Sequence, residues 1–443
     1  MSVRSSLVQS IHAECVKIEV DFSVNLDELA RTEDGSWYGQ VRSHVGRVVE
    51  LIPLDSPEKL LIGTPLFLTG QTLEEHLLDV KAGTVIDPLG RVMLPLSDAD
   101  PEDLKKTPAV PRGDEGNFWG LKTLGEFMQL NAGEGVALLG TPSGGFALLF
   151  SQIAAAQRAD CLYVFCQGGQ QDLRRFRRAA ERAGVAKRTL ILWTPPWATL
   201  AIKSMASVSL AFLMNRRRGE GRRLLLIDDL HLWLESIREY GESSEELLLP
   251  DGYPHIARRL LGELLDLASP PDEAGNSTSI IAGWRYEEGF SPVVDHPYMA
   301  RLPRFMKTGI VLAEQAEYLT PSEDSWGTLG PVGRCWRRLH ALLEECSEEN
   351  KPVLEGLIAL FGELFVEFSL LSTSAPAKRP VQFTAKDEKA LCSIAERSLP
   401  PLIDSILKAR LDIQLHYRED EDIRRRTFLA WMQQVLASGE GLA

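Results

Sequence analysis

The chain has 443 residues and a formal net charge of −14 at pH 7. Its length predicts two or three domains, and its acidic balance argues against nucleic acid as the main partner, because phosphate contacts need a net basic face. The N-terminal residues contain no continuous apolar stretch of the kind found in a secretory signal. The apolar region 190–214 is interrupted by two prolines and a lysine, which argues against a membrane span. We therefore expect a cytoplasmic protein that reaches a membrane only through a complex.

The cysteine pattern gives no sign of a metal centre. The six cysteines form no C-x-x-C pair, and the histidines are scattered singly along the chain. Tetrahedral metal sites need clusters of these residues at short spacing. We expect reduced thiols, as is typical of a cytoplasm, and no bound metal.

The first part of the chain is rich in short β-type runs separated by turn residues. The runs lie at 16–22, 45–52, 65–69 and 84–86. Short strands at regular spacing favour a small β-barrel, which we place at residues 1–98. The polar, proline-rich stretch 95–116 then predicts a linker.

A different rhythm follows, in which buried-type strands alternate with helices. The predicted strands are 136–139, 161–166, 189–193, 223–227, 279–282 and 309–312, and the helices are 146–157, 172–183, 198–215 and 253–268. This alternation is typical of a parallel sheet with helices on both faces, and we assign it to residues 99–333. Helices predicted at 354–371, 385–411 and 421–436, with a Ser/Pro-rich loop at 372–380, make residues 334–443 a C-terminal helical domain.

The segment after the first strand of this sheet follows part of a phosphate-loop pattern. That pattern is G-x-x-x-x-G-K-[ST], and Gly140 and Gly145 stand at its two glycine positions. The residues between them are Thr141, Pro142, Ser143 and Gly144. Phe146 replaces the lysine that offsets phosphate charge, and Ala147 replaces the hydroxyl that binds Mg²⁺. Two interpretations are open: an ordinary strand-to-helix turn, or a phosphate loop that has lost its chemistry.

Two further strand ends bear on the same chemistry. Asp228 directly follows the apolar strand 223–227, which is the Walker B pattern of a carboxylate that orients Mg²⁺. It is equally compatible with a buried strand that ends in an exposed acid. The segment after strand 161–166 contains no carboxylate before Asp172, so it offers no general base for an attacking water.

The order and spacing of these pieces resemble one family, the alpha and beta subunits of rotary ATP synthases, together with the related type III secretion and flagellar export ATPases. The similar segments are 82–91, 119–124, 161–192, 227–230 and 253–268, and the alpha subunit is the most similar. The resemblance implies an N-terminal β-barrel, a central RecA-like domain and C-terminal helices. It also implies that segment 82–91 closes the barrel.

The departures from the family fall on functional positions. Besides Phe146 and Ala147, Gly168 stands where the family has glutamine or glutamate. The arginine that reaches a neighbouring subunit's nucleotide corresponds either to Pro331 or, with one extra residue, to Arg334, a candidate subunit-interface arginine. Arg334 is also compatible with a simple role at the start of a basic helix.

Three functional hypotheses remain. The first is a non-catalytic, structural or regulatory subunit that hydrolyses no ATP and packs in a ring with a paralogous ATPase subunit or with itself. The second is a divergent subunit that still binds ATP weakly through backbone amides and supports hydrolysis or transport in a neighbour. The third, a nucleic-acid helicase with the same core, is disfavoured because the sequence shows no basic groove with interleaved aromatics. We expect neither ATP nor Mg²⁺ to bind tightly.

Overall fold

A computed structural model describes residues 4–96, 127–128, 131–140, 153, 159–182, 184–244, 246–285, 306, 308–315, 318–321, 325, 327–345, 347–348, 351–366, 368–369, 424 and 426–431. The strands in these ranges are β1 (Ser5–Ile11), β2 (Val16–Glu19), β3 (Glu28–Arg31), β4 (Tyr38–Val45), β5 (Val48–Pro53), β6 (Pro65–Thr72), β7 (Thr84–Ile86), β8 (Val92–Pro95), β9 (Gly135–Gly140), β10 (Cys161–Cys166), β11 (Thr189–Trp193), β12 (Arg222–Ile227), β13 (Ser277–Arg285), β14 (Thr308–Gln315), β15 (Tyr318–Pro321) and β16 (Phe368–Ser369). The α-helices are α1 (Leu73–His76), α2 (Gln170–Arg182), α3 (Leu200–Arg216), α4 (Leu230–Ser243), α5 (His255–Leu265), α6 (Pro331–Glu345) and α7 (Lys351–Phe361).

The N-terminal strands form a closed barrel in the order β1-β2-β5-β4-β3-β6, which confirms the predicted barrel. Alternate residues of β5 point inward, as expected for a strand with one buried face. The strand predicted at 45–52 is present as β5 but begins three residues later, because Val45 ends β4 and Val48 begins β5. These two valines pair across a tight hairpin in which Gly46 adopts a positive φ of 65°. The apolar residues therefore flank a turn that glycine permits.

The central sheet has the order β16-β15-β14-β9-β13-β12-β10-β11-β7-β8. Strands from β14 to β7 in this order are parallel, and the outer ones are antiparallel. Consecutive residues of β12 belong to opposite cores, since Leu224 and Leu226 pack with α2 and α6 residues whereas Leu225 and Ile227 pack with α3, α4 and α5 residues. Helices thus cover both faces, as a fully buried parallel sheet requires. The predicted fold class is confirmed.

The position of β7 and β8 corrects the sequence analysis. The segment 82–91 was expected to close the barrel, but β7 pairs with β11 in the central sheet, with Thr84 beside Leu190. Val85 and Ile86 are both fully buried and belong to opposite cores. A barrel strand would alternate between a buried and an exposed face, so two successive buried residues are typical of a sheet covered on both sides.

The C-terminal region differs from its prediction at one helix. The helix expected at 354–371 ends at Phe361, and a π-helical turn at Gly362–Val366 leads into β16, which pairs with β15. The turn places Leu364 and Phe365 in the core beside Phe361 and Phe428. Residues 424 and 426–431 are helical within the predicted helix 421–436. The predicted helices 385–411 and, apart from Ile153, 146–157, and the loop 372–380, lie outside the described residues, as does the linker beyond residue 96.

Within the described ranges, no helix combines the length and the apolar character that a membrane crossing requires.

Candidate functional site

The carboxyl ends of four neighbouring strands lie side by side in the order β9, β13, β12, β10. In open α/β sheets this edge is where ligands bind. Gly140 ends β9, and in the strand register it lies beside Arg285, the last residue of β13. The rest of the predicted loop lies outside the described residues, namely Thr141, Pro142, Ser143, Gly144, Gly145, Phe146 and Ala147.

Asp228 follows β12 and lies at the centre of this edge. It is 1% exposed, which excludes the interpretation of an exposed acid at a strand end. Its Oδ2 accepts hydrogen bonds from the backbone N–H groups of Gln167, at 2.8 Å, and Gly168, at 3.1 Å. Its other oxygen, Oδ1, is buried and accepts no hydrogen bond from a described residue. Among the described residues, the carboxylate is therefore held at Oδ2 and has no hydrogen-bond donor at Oδ1.

Burial raises the pKa of Asp228 to about 6. The two backbone N–H groups and the charge of Arg285 lower that pKa, whereas the neighbouring Asp229 raises it. Burial likewise raises the pKa of Asp229 to about 6, against the opposing effect of Arg285. Two adjacent carboxyl groups in one dry site resist being charged together.

Asp229 has a structural role in the same place. Its Oδ1 accepts a hydrogen bond of 3.1 Å from the Leu232 N–H and so caps α4. Its Oδ2 lies 3.5 Å from Nε of Arg285. The side-chain amide of Gln167 donates to the Asp229 carbonyl oxygen. Asp229 thus ties together the ends of β10, β12 and β13.

The segment after β10 contains no carboxylate before Asp172 that could act as a general base. Gly168 lies here, and a Cβ at this position would meet Asp172 Oδ2 at 2.4 Å and Asp172 Cβ at 2.8 Å. The side chain of Asp172, in the first turn of α2, therefore fills the space that a side chain at position 168 would enter. Restoring glutamate at position 168 requires Asp172 to move.

Arg334 lies in a different element. It is in the first turn of α6, and its Nη1 donates a hydrogen bond of 2.8 Å to the Leu329 carbonyl oxygen. Pro331 begins the same helix, where its missing N–H costs nothing. This is the helix-start role that the second interpretation of Arg334 predicted, and whether Arg334 also contacts a neighbouring subunit stays a prediction.

Sequence reasoning identified Gly140 and Asp228 but missed Arg285, the capping role of Asp229 and helix α4. The strand before Arg285 was predicted to end at residue 282, whereas β13 continues to Arg285. Helix α4 has a recognisable pattern, because its buried Leu230, Trp233, Leu234 and Ile237 follow helical spacing. Asp229 immediately before that pattern is an N-cap signal.

The described residues supply only part of a nucleotide site. Asp228 could hold a hydrated Mg²⁺ through its unsatisfied oxygen. A working site also needs a lysine on the phosphates and a hydroxyl on the metal, and the sequence has Phe146 and Ala147 in those places. Among the described residues, Asp228 is a carboxylate of the kind that such a site uses.

Part of the sequence is similar to a known protein family. Residues 120–293 match the family model for the ATP synthase alpha/beta family, nucleotide-binding domain. No curated protein sequence matches the chain. The matched range contains Gly140, Asp228 and Arg285, whereas the barrel strands and α6 lie outside it.

Proposed function

We propose that the protein is a non-catalytic, alpha-subunit-like component of a ring-forming ATPase complex, and the premise is the match of residues 120–293 to the family model for the ATP synthase alpha/beta family, nucleotide-binding domain. It acts through its contacts, as a structural or regulatory subunit of a rotary or export-type machine. Folds persist without their original chemistry when their surfaces still bind a partner.

One observation carries the proposal: the domain keeps its Walker B carboxylate but lacks the groups that carry phosphate. Phe146 and Ala147 remove a cation and a hydroxyl from the loop. Each lost hydrogen bond to a charged group is worth roughly 1.5–3 kcal/mol. Because burial raises the pKa of Asp228 to about 6, a large part of its population is protonated in mildly acidic solution, and a neutral carboxyl group is a poor ligand for Mg²⁺.

The proposal concerning hydrolysis is tested with purified protein. We expect no ATP turnover above that of the Asp228→Asn variant, prepared identically, because the variant removes the retained carboxylate and reports contaminating ATPases. Turnover that disappears in Asp228→Asn would overturn the non-catalytic assignment.

Nucleotide binding separates the proposal from the alternative of a weakly binding subunit that supports a neighbour. We expect isothermal titration with Mg-ATP to show no saturable heat at millimolar nucleotide. Micromolar binding without turnover favours the alternative. The double variant Phe146→Lys with Ala147→Thr restores the missing groups and is the positive control, since it should bind more tightly than the wild-type chain.

Ring assembly is tested separately. Native mass spectrometry of the protein purified from its own cells should show a complex with a paralogous ATPase subunit or a homo-oligomer. A monomer with no bound protein across preparations would contradict the proposed subunit role, whatever the outcome for nucleotide.

A further inference from the structure

A cavity lies at the opposite edge of the sheet from Asp228. It has a volume of ≈ 470 Å³ and is formed where β12 and β13 begin and where α3 and α5 end. Cavities of this size hold small organic ligands in many proteins. Because the strands run parallel from this edge to the other, the cavity is separate from the candidate nucleotide site.

The floor of the cavity contains unsatisfied polar groups. Arg223, at the start of β12, is 3% exposed, and Thr278, on β13, is 1% exposed. The Arg223 Nη1 donates to the carbonyl oxygen of Met214, in the last turn of α3. Within the described ranges, however, the Nε of Arg223 and the Oγ1 of Thr278 have no hydrogen-bond partner.

Burying these polar groups without hydrogen-bond partners lowers the stability of the folded protein. A buried cation without a carboxylate is unfavourable, and a buried hydroxyl without a partner adds to that cost. The bond to Met214 explains one guanidinium nitrogen as a cap for α3, where a cation is favourable. It leaves Nε without a hydrogen-bond partner among the described residues, so helix capping alone does not account for the arrangement.

The walls and the mouth of the cavity differ in character. The walls are apolar, formed by Val208, Ala211, Phe212 and Leu267. The mouth carries exposed charged residues, which are Glu74, Arg218, Glu263 and Asp266. Three of these four are acidic, so the mouth opposes the entry of polyanions such as nucleoside triphosphates and favours a ligand that is cationic at its outer end.

We propose that this cavity binds a small amphipathic monocarboxylate with a cationic outer end. Its carboxylate accepts hydrogen bonds from Arg223 Nε and Thr278 Oγ1. Its apolar body lies along Phe212 and Leu267, and its cationic end lies among the carboxylates at the mouth. The ligand's negative charge then offsets the buried guanidinium.

The experiment uses ω-aminooctanoate as the probe, in isothermal titration with the full chain. We expect saturable binding by the wild-type protein. The Arg223→Met variant should bind at least about tenfold more weakly, since a charge-assisted hydrogen bond is lost. Octylamine, which lacks the carboxylate, should bind no better to the wild type than to Arg223→Met.

Three further variants keep the test decisive. Ala211→Trp fills the cavity and leaves Arg223 in place, so it should abolish binding even if Arg223→Met fails to fold. Arg47→Met, on an exposed barrel turn, is the matched control and should bind as the wild type does. Asp228→Asn should also bind normally, which separates this proposal from the nucleotide site. Absence of saturable binding, or equal binding by Arg223→Met or Ala211→Trp, would overturn the proposal.

Discussion

Asp228 is held between opposing electrostatic effects. Two backbone N–H groups and Arg285 favour its charge, whereas burial and Asp229 oppose it, and the pKa rises to about 6. The folded-state pKa therefore exceeds the ordinary value of 3.8. Folding therefore favours the protonated form of Asp228. The contribution of this group to the free energy of unfolding is complete below the unfolded pKa and is lost as pH rises through the folded pKa.

Asp228→Asn should consequently stabilise the protein at neutral and alkaline pH. The amide oxygen keeps the two backbone hydrogen bonds and carries no charge. We expect the free energy of unfolding to increase by on the order of 1–3 kcal/mol near pH 8 and to be almost unchanged near pH 4. Denaturant unfolding at the two pH values measures this. Asp21→Asn, at an exposed carboxylate, is the control, and an equal effect of Asp228→Asn at both pH values would contradict the argument.

Gly168 offers a second test at the residue scale. Its missing Cβ leaves room for Asp172, which a new Cβ would approach to 2.4 Å at Oδ2. We expect Gly168→Ala to cost about 1–3 kcal/mol of unfolding free energy through overpacking. The same substitution should cost less in an Asp172→Gly background. A double-mutant cycle measures the coupling, and additive effects would show that the two positions do not compete for space.

A residue of the candidate site could be predicted from the sequence where a motif marks it. It could not be predicted where only the packing of distant strands brings the residue to the site. Asp228 follows an apolar strand, so its place at the sheet edge was predictable. Arg285 comes from a distant strand, and its approach to Asp229 depends on β13 lying next to β12. Phe146 and Ala147, which stand at the lysine and hydroxyl positions of the loop pattern, are known from the sequence alone, because they lie outside the described ranges.

At the scale of elements, helix α3 shows how a cap can also join two domains. Thr199 caps the helix by accepting a hydrogen bond of 3.3 Å from the Ile202 N–H. Its hydroxyl donates to the carbonyl oxygen of Leu54, just after barrel strand β5. One side chain thus begins a helix of the sheet domain and contacts the barrel.

Thr199→Ala should destabilise the protein by about 1–2 kcal/mol, because it removes the cap and leaves the Leu54 carbonyl without this donor. Thr199→Ser keeps the hydroxyl and is the matched control, expected within about 0.5 kcal/mol of wild type. Chemical denaturation compares the three proteins. If the serine variant loses as much as the alanine variant, the methyl group rather than the hydrogen bonds is responsible.

Elements were predictable where periodicity is simple. The central strands β10 and β11 are continuous apolar runs and have the predicted bounds. The hairpin between β4 and β5 was misassigned because apolar residues continue on both sides of its turn. The end of α7 was misassigned because its aromatic residues keep helical spacing into the π-helical turn, where tertiary packing decides the backbone.

At the scale of the whole molecule, Arg91 joins the barrel to the sheet. It lies between β7 and β8, and its Nη1 and Nη2 donate to the two Asp55 oxygens at 2.8 and 3.1 Å. Its Nε donates to Asp87 at 2.6 Å. Asp55 belongs to the end of the barrel and Asp87 to the sheet, so one guanidinium neutralises a carboxylate on each side. Burial raises the pKa of Asp87 despite this neighbour.

Arg91→Met should leave Asp87 buried without its cation and Asp55 with only Lys59, whose Nζ lies 3.9 Å from Asp55 Oδ1. We expect a loss of about 3–5 kcal/mol in the free energy of unfolding, as for a broken buried pair, with the barrel and sheet unfolding in separate steps. Arg91→Lys retains the charge without the bidentate geometry, so its free energy of unfolding should lie between those of the wild type and Arg91→Met. Calorimetry resolves the transitions, and a single transition at the wild-type temperature for Arg91→Met would contradict this role.

The overall architecture was predictable because each domain has its own sequence rhythm. The position of β7 and β8 in the central sheet was not predictable, since it depends on contacts between segments about 100 residues apart. The domain limits at residues 98 and 333 stay predictions, and the first of them separates β7 and β8 from the sheet they pair with.

The pairing of β7 with β11 has a consequence for folding during translation. All six barrel strands end by Thr72, so the barrel is complete soon after it leaves the ribosome, whereas β7 pairs with β11, which ends at Trp193. At about 5–20 residues per second, β7 waits roughly 5–20 s for its partner. During that interval, the apolar residues Val85 and Ile86 have no sheet to enter. Until then, the growing chain is a finished barrel followed by a β7–β8 hairpin, in which the edge of β7 that later pairs with β11 has no partner.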